Sequence, residues 1–185
     1  MNLAEAYHAD LAHTNHVARL ALEMWDELAR TGVHLGGQEE RGLLWAASML
    51  HDIGMTVDYD DHHRHSRYLI LSAGLPGFSP REMALIAQTV RYHRKGTPAL
   101  GELQPLAQPG DAELLDRNAA LLRVAEQLER ARDQCVLSVE VAATDGAVEL
   151  RLAAAEDVTV ARWSAQRQAD VFERAFGRTL RVSGP

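Results

Sequence analysis

Apolar residues recur at steps of three and four residues over roughly the first 130 positions, which is the period of an amphipathic α-helix. In the first such segment, from His8 to about Arg30, the apolar stripe consists of Val17, Leu20, Met24 and Leu28. Extending this stripe backwards by four residues ends at His13. The pattern therefore predicts a long first helix with an early histidine that faces the core.

A second helix is predicted over residues 39–53, with Gly54 as its C-cap. His51 and Asp52 then lie in its last turn. Because adjacent helical residues point about 100° apart, both side chains reach one ion only if that ion lies beside the end of the helix. The polar residues 57–64 are predicted to form a loop, which leads into a short helix.

The next helix has the clearest start signal in the chain. A serine N-cap, a proline directly after it and a glutamate three residues after the serine predict a helix that begins at Pro80. Its inward stripe continues to His93, which again takes a core-facing place. After a loop rich in Gly and Pro, a further helix is predicted over residues 111–133, with Glu126 and Glu129 on one edge.

The last fifty residues change period. Apolar residues alternate with polar ones, first at Cys135, Leu137, Val139 and Val141 and then at Val148, Leu150 and Leu152. The sequence Thr144-Asp145-Gly146 between these runs predicts the turn of a β-hairpin. A final helix around residues 158–176, which carries the large apolar residues Trp163, Val171, Phe172 and Phe176, and a short strand over residues 179–182 that joins the hairpin complete the prediction.

These elements predict a mainly α fold, in which residues 1–134 form a helical bundle and residues 135–185 form a small α+β extension packed on it as one unit. The 185 residues, 46% of them hydrophobic, suffice for one substantial core. No segment is apolar over the length of a membrane span, and the N-terminus lacks the pattern of a secretion signal. We therefore expect a cytoplasmic protein with no membrane partner.

The net charge of −7 argues against a general nucleic-acid-binding surface, because phosphate backbones select for a basic excess. The basic residues are nevertheless concentrated in one segment. Between His62 and Lys95 the only acidic residue is Glu82, and the basic ones are Arg64, Arg67, Arg81, Arg91, Arg94 and Lys95. This segment is either a local anion-binding site or a solvated basic face.

Histidines and carboxylates from several predicted helices form a candidate metal site. The candidate ligands are His13, His51, Asp52, His62, His93 and Glu126. A lone histidine on an apolar helix face is usually a core residue, but three of them beside a His-Asp pair favour a metal. Imidazole and carboxylate together suit manganese, iron or zinc better than calcium, and magnesium is a further candidate.

Several runs of this sequence resemble a known family. His13 with Val17 four residues later, the run His51-Asp52-Ile53-Gly54 and an acidic residue deep in a later helix resemble the HD superfamily of metal-dependent phosphohydrolases. Four longer runs are similar to the C-terminal HD-type region of the Ppx/GppA exopolyphosphatase and guanosine-pentaphosphate phosphatase family: DDHHRHSRYLI (60–70), LPGFS (75–79), RYHRK (91–95) and FERAFGRTL (172–180). The resemblance covers nearly the whole chain and implies an HD-type helical bundle.

The resemblance implies that His13, His51 and Asp52 bind a divalent metal ion. Glu126 stands where the superfamily usually has aspartate; its extra methylene could preserve coordination, bring in a different metal or mark a site that has lost activity. The resemblance also places His62, with His93 as its partner, at the position that supplies a second metal in binuclear members.

The remaining roles concern catalysis and substrate. His65 is the alternative to His62, and His63 is expected to point to solvent or phosphate. In an enzyme, Asp52 would hold the metal at the centre of catalysis, and whichever of His62 and His65 is not a ligand could shuttle a proton. The expected substrate-binding residues, which would neutralise charge on the phosphoryl oxygens, are Arg64, Arg94 and Lys95.

Three functions remain open. The first is a metal-dependent phosphohydrolase that acts on a phosphate ester, a nucleotide or a polyphosphate. The second is a non-catalytic module that binds polyphosphate or a guanosine polyphosphate; Glu126 favours it, as does the lack, in these 185 residues, of the actin-like domains that hydrolyse polyphosphate in full-length family members. The third is a helical dimerisation domain, which would make the chain a homodimer.

Overall fold

A computed structural model describes residues 3–185 of the protein. The fold is mainly helical with a small C-terminal sheet, which confirms the predicted fold class. The α-helices are α1 (Leu3–Ala6), α2 (Leu11–Arg30), α3 (Gln38–Leu50), α4 (His62–Ala73), α5 (Pro80–Arg91), α6 (Asp111–Leu128), α7 (Thr159–Gln166) and α8 (Ala169–Phe176). The 3-10 helices are Ile53–Thr56 and Gly101–Leu106, and the strands are β1 (Val136–Ala143), β2 (Ala147–Ala154) and β3 (Thr179–Ser183). Within the described residues, no helix is long and apolar enough to cross a membrane.

The helices pack through the apolar stripes that the sequence predicts. Helix α2 lies against α3 and α6, and α5 lies against α3, α4 and α6. The predicted inward residues of α2 are fully buried: Val17, Leu20, Met24 and Leu28. The histidines that continue the stripes of α2 and α5, His13 and His93, are buried as well. Both core-facing predictions are confirmed.

Helix α3 ends at Leu50, earlier than predicted, and the prediction of Gly54 as its C-cap is wrong. Gly54 instead lies inside the following 3-10 helix, where this turn touches α4. A Cβ atom there would lie 2.3 Å from the main-chain oxygen of His62 and 2.4 Å from the main-chain nitrogen of Ser66. Glycine is required because the two backbones approach so closely, not because a left-handed cap is needed.

Helix α4 begins at His62, so the predicted loop was wrong over residues 62–64. Its buried face consists of His62, His63, Ser66 and Ile70. Only the last of these is apolar, and the hydrophobic pattern therefore gave no helical signal in the first two turns. The two adjacent helices agree better with the sequence, because α5 begins at Pro80 with the predicted capping box and α6 begins at Asp111.

The C-terminal sheet contains the predicted hairpin and third strand. Strand β2 pairs antiparallel with β1 and parallel with β3. The predicted phase of β1 is wrong at its start, because a bulge between Val136 and Ser138 adds one residue. Val136 is therefore buried, Leu137 is exposed, and Cys135 lies half-buried just before the strand.

The predicted final helix is two short helices, α7 and α8. Phe172 of α8 is fully buried, whereas Trp163 of α7 is exposed, with the Arg167 guanidinium 4.8 Å from its ring centroid. The two parts of the chain share one hydrophobic core, to which α2 contributes Leu20 and β1 contributes Val139. The sheet and the last helices thus support the bundle from one side.

Candidate metal centre

Helix ends converge at one place in the bundle. His13 lies in the first turn of α2, where its main-chain N–H is capped by the carboxylate of Asp10. The other candidate ligands lie directly after α3 (His51 and Asp52), at the first residue of α4 (His62), two residues after α5 (His93) and in the last turn of α6 (Glu126). The backbone alone therefore brings residues that are distant in sequence to one point.

Glu126 joins two histidines on one side of the centre. Its Oε2 atom lies 3.0 Å from Nε2 of His13 and 3.2 Å from Nε2 of His51. The potential ligand atoms of these three residues all lie within 4.8 Å of one another. The longer side chain of glutamate thus reaches both imidazoles from the end of α6.

Asp52 joins the remaining histidines. Its Oδ1 atom lies 3.1 Å from Nε2 of His62, 3.5 Å from Nε2 of His51 and 3.9 Å from Nε2 of His93. The two Nε2 atoms of His62 and His93 are 3.1 Å apart. His51, Asp52 and His93 form a second group with ligand atoms in metal-binding range, and His51 belongs to both groups.

Three of the rings are held by the main chain through Nδ1. His51 Nδ1 donates to the carbonyl of Ser48 at 2.7 Å, His62 Nδ1 to that of Tyr59 at 2.9 Å and His93 Nδ1 to that of Val90 at 2.7 Å. A carbonyl only accepts, so Nδ1 carries the hydrogen in each ring. A neutral imidazole then has its lone pair on Nε2, which is the atom that points into the centre.

The turn that carries His51 and Asp52 is cross-linked to α4 by one serine. Ser66 Oγ donates to the carbonyl of His51 at 2.7 Å and accepts from the N–H of Gly54 at 2.8 Å. All the groups involved are buried, so this link is protected from water. Together with the close approach at Gly54, it fixes the distance between Asp52 and His62.

The electrostatics of the centre favour positive charge. Burial lowers the pKa of His51, but Asp52 and Glu126 outweigh burial and raise it to about 9. Burial alone would raise the pKa of both carboxyls, yet the surrounding histidines hold both well below their usual range. Burial and the charge of His51 lower the pKa of His93 to about 3. Two ionised carboxylates in one buried site thus favour a cation between them.

The residues present fit a divalent metal ion. The donor set comprises four imidazole Nε2 atoms and two carboxylates, which suits manganese, iron or zinc. Three imidazoles have the hydrogen-bonded Nδ1 that orients metal-binding histidines, and the carboxylates already stabilise positive charge. All six predicted ligands lie at this centre.

The other predicted site residues lie outside this centre. His65, on α4, is half-buried, and within the described residues its side chain has no hydrogen bond or ion pair. Lys95 Nζ and Arg64 Nη1 lie 2.9 Å and 3.4 Å from the Asp61 carboxylate at the surface. Arg94 lies 3.4 Å from Nδ1 of His62, on the outer side of that ring.

The expectation that His63 points to solvent or phosphate is wrong. Its side chain is fully buried, and neither ring nitrogen has a hydrogen-bond partner in the described structure. Burial, together with the nearby positive charge of Arg91, lowers its pKa to about 4. The helical start of α4 turns this residue inward beside His62, a consequence of the helix boundary that the sequence pattern did not show.

Sequence reasoning missed one charged residue at the centre. Arg132, in the loop after α6, donates from Nη2 to Asp52 Oδ2 at 2.5 Å and from Nη1 to Asp10 Oδ2 at 3.1 Å. Together with Met55, these residues line a surface cleft of about 240 Å³. Arg132 has φ of 57°, a left-handed conformation that no local sequence signal predicted.

One comparison with known proteins bears on this arrangement. Residues 1–167 match the family model described as Ppx/GppA phosphatase, domain III. The match includes all six candidate ligands of the centre and extends through strands β1 and β2 to the end of α7. The chain therefore belongs to the Ppx/GppA phosphatase family, as its domain III.

Proposed function

We propose that this protein is a metal-dependent phosphohydrolase of the HD type, acting on a phosphate ester, a nucleotide or a polyphosphate. The observation that carries the proposal is the convergence of four imidazole Nε2 atoms on two carboxylates, that of Asp52 buried and that of Glu126 partly exposed, with three rings oriented by the main chain. Membership of a phosphatase family whose enzymes use divalent metals supports the same chemistry.

Asp52 and Glu126 would hold the ion with His13, His51, His62 and His93. A bound divalent ion supplies a Lewis acid that polarises a phosphoryl oxygen and activates water for attack on phosphorus. The protein contributes orientation, because the main-chain carbonyls and Ser66 restrain the ligands before any ion arrives.

Glu126 supports activity more than loss of function. Its Oε2 atom contacts both His13 and His51, so the extra methylene relative to aspartate does not take the carboxylate out of the centre. A site that had lost its role would not be expected to keep a carboxylate that is only 17% exposed between two imidazoles, because the removal of a charge from water is costly.

The alternative is a binding module for a polyphosphate or a guanosine polyphosphate. Two observations favour it. The matched model describes one domain of a phosphatase family, and Arg64, Arg94 and Lys95 all lie at the protein surface near Asp61 and His62. Binding to such a surface should weaken steeply with salt and on substitution of Arg94 or Lys95.

The test combines metal analysis with phosphate release. Untagged protein should contain stoichiometric manganese, iron, zinc or magnesium, and a panel of monoesters, nucleotides and polyphosphates should identify a hydrolysed substrate. Asp52→Asn should lose both metal and activity. The matched control is Asp111→Asn, since Asp111 is another buried aspartate paired with an arginine, Arg81, outside the centre.

Two results would overturn the enzymatic proposal. One is protein that takes up no divalent ion even after incubation with an excess. The other is full phosphate release by Asp52→Asn. Salt-sensitive binding of polyphosphate without hydrolysis, lost in Lys95→Ala, would support the binding module instead.

A further inference from the structure

The cleft beside Asp52 contains a cation that the sequence did not suggest. Arg132 holds the metal-binding carboxylate of Asp52 with Nη2 and the exposed carboxylate of Asp10 with Nη1. We infer that Arg132 binds a phosphoryl oxygen of the substrate, and that the substrate, a phosphate monoester, enters through this cleft and not over the Arg94–Lys95 surface. The inference rests on the proposed function and specifies its substrate-binding residue.

Arg132 can contact a phosphoryl group without leaving Asp52. A guanidinium has five N–H donors in a planar fork, and the two carboxylates accept from one Nη atom each. About one third of the side chain is exposed, on the side of the cleft. The unused donors therefore lie at the boundary between the metal centre and solvent, where an oxygen of a metal-bound phosphate would be.

The geometry of His62 argues against the alternative face. The metal-ligating atom of this ring is Nε2, which points to Asp52 at 3.1 Å, whereas Arg94 lies at 3.4 Å from Nδ1. The imidazole ring thus separates Arg94 from the centre. Lys95 and Arg64 are farther out, both paired with the Asp61 carboxylate. These cations cannot approach a phosphoryl group at the metal while His62 keeps this orientation.

The lining of the cleft indicates a substrate with a single phosphoryl group. The cleft has a volume of about 240 Å³. Its charged side chains are Arg132, Asp10 and Asp52, and His8 lies beside them. The neutral part of its lining consists of Tyr7, Met55 and Thr56. One arginine shared with two carboxylates cannot neutralise a long polyanion. A monoester of an uncharged alcohol suits this lining better than a polyphosphate does.

The test measures binding of inorganic phosphate to the manganese-loaded protein by calorimetry, in wild type and three variants. Arg132→Met should weaken phosphate binding at least tenfold with manganese content unchanged. Arg94→Met, which tests the competing face, should change the affinity for phosphate less than threefold. Asp10→Asn should tighten binding by a few fold, because asparagine preserves the N-cap of α2 while it removes the charge that competes for Arg132.

The Asp10→Asn result also separates substrate binding from a structural role, because loss of a merely structural contact would not increase affinity. If Arg132→Met fails to fold, Arg132→Lys replaces it, and should show an intermediate loss since it keeps the charge without the fork. Unchanged phosphate affinity in the Arg132 variant, a larger loss in Arg94→Met, or loss of manganese from Arg132→Met would overturn the inference. The last result would make Arg132 a residue that only positions Asp52.

The inference and the proposed function fail in different ways. If phosphate binding depends on Arg132 but the protein hydrolyses no substrate, the enzymatic proposal is refuted and the phosphate-binding role of the cleft is kept. If the protein hydrolyses a substrate with a KM that does not change in Arg132→Met, substrate binding in the cleft is refuted and the enzymatic proposal is kept. The substrate class is tested separately, because kcat/KM should be higher for a phosphate monoester than for tripolyphosphate. The reverse order would overturn the assignment of a monoester as the substrate.

Discussion

Two buried polar clusters lie along the same pair of helices, and only one of them is suited to a metal. The candidate metal centre, defined by its six candidate ligands and called the metal centre below, lies where α2 begins and α3 ends. The second cluster, here called the His34 cluster, lies at the other end of α3, roughly 16 Å away along the helix. It consists of Trp25, His34, Glu40, Arg117 and Asn118.

In the His34 cluster, the imidazole and the carboxylate, which are the groups able to bind a metal, already have partners within the described residues, whereas Trp25 Nε1 and Asn118 Oδ1 are buried without a hydrogen-bond partner there. His34 uses both ring nitrogens on the main chain, donating from Nε2 to the Trp25 carbonyl and accepting at Nδ1 from the Gly36 N–H, each at 3.0 Å. Glu40 is paired with Arg117 through two hydrogen bonds of 2.7 Å. In the metal centre, by contrast, the Nε2 atoms of its four histidines lie close to one another or to the two carboxylates. A buried histidine is therefore a ligand candidate only when one nitrogen is left for a partner outside the main chain.

The largest expected effect comes from breaking the ion pair of the His34 cluster. Arg117→Met leaves the Glu40 carboxylate buried and unpaired, which should lower the free energy of unfolding by about 3 kcal/mol, the lower end of the usual range because Arg117 is partly exposed. Urea denaturation measures the loss, and metal content should not change. The double variant with Glu40→Gln should recover part of the loss, and a double variant as unstable as the single would contradict this account.

Divalent ion should stabilise the protein through the metal centre alone. At a free-ion concentration of 100 times Kd, binding to the folded state contributes about 2.7 kcal/mol, which for a chain of this length raises Tm by roughly 5–10 °C. Scanning calorimetry with manganese and with a chelator should show this difference in wild type and in His34→Asn, but not in Glu126→Gln. An equal shift in all three proteins would place the ion elsewhere.

The close backbone approach that positions Asp52 should be sensitive to one methyl group. Gly54→Ala should push the 3-10 turn away from α4, which lowers the free energy of unfolding by about 2 kcal/mol and weakens metal binding. The control is Gly42→Ala, since no atom lies within 4 Å of a Cβ there and alanine favours a helix by about 0.5–1 kcal/mol. Equal stability in the two variants, measured in urea, would show that the turn adapts freely.

The smallest expected effect is the pH dependence of the His34 cluster. Burial lowers the pKa of His34 from 6.5, so the unfolded state takes up the proton first as pH falls. The contribution of His34 to the free energy of unfolding is therefore fully present above pH 6.5. Below that pH it decreases by at most about 1.4 kcal/mol per pH unit. Between pH 7 and 5.5, wild type should lose more stability than His34→Asn, and identical losses would mean that this imidazole titrates normally in the folded protein.

Much of the fold was predictable because its signals are local. The apolar stripe of α2 ended correctly at His13, and the serine, proline and glutamate before α5 placed its start at Pro80. The beginning of α4 was not predictable from hydrophobic period, because its buried face carries His62 and His63. The bulge in β1 likewise depends on pairing with β2, which no local pattern of Cys135 and Leu137 encodes.

The site was predictable as a set of residues but not as an arrangement. Residue type and helix period identified all six side chains that the structure brings together, because each one continues or directly follows an apolar stripe or stands in a run that resembles the family. Arg132 was missed because it lies in an irregular loop after α6 and reaches Asp52 from 80 positions away. Which cation pairs with the Asp52 carboxylate therefore depends on where the loops pack in the folded protein.

The sequence by itself therefore determined the helices, the small sheet and the identity of the candidate ligands, since these follow from periodicity, capping and residue chemistry within short segments. Tertiary structure alone decided which ring nitrogen points inward, that His63 is buried and that Arg132 rather than Lys95 contacts the centre. Each of these depends on how the ends of separate helices pack and on the main-chain carbonyls they present, and no segment of the chain specifies such relations alone.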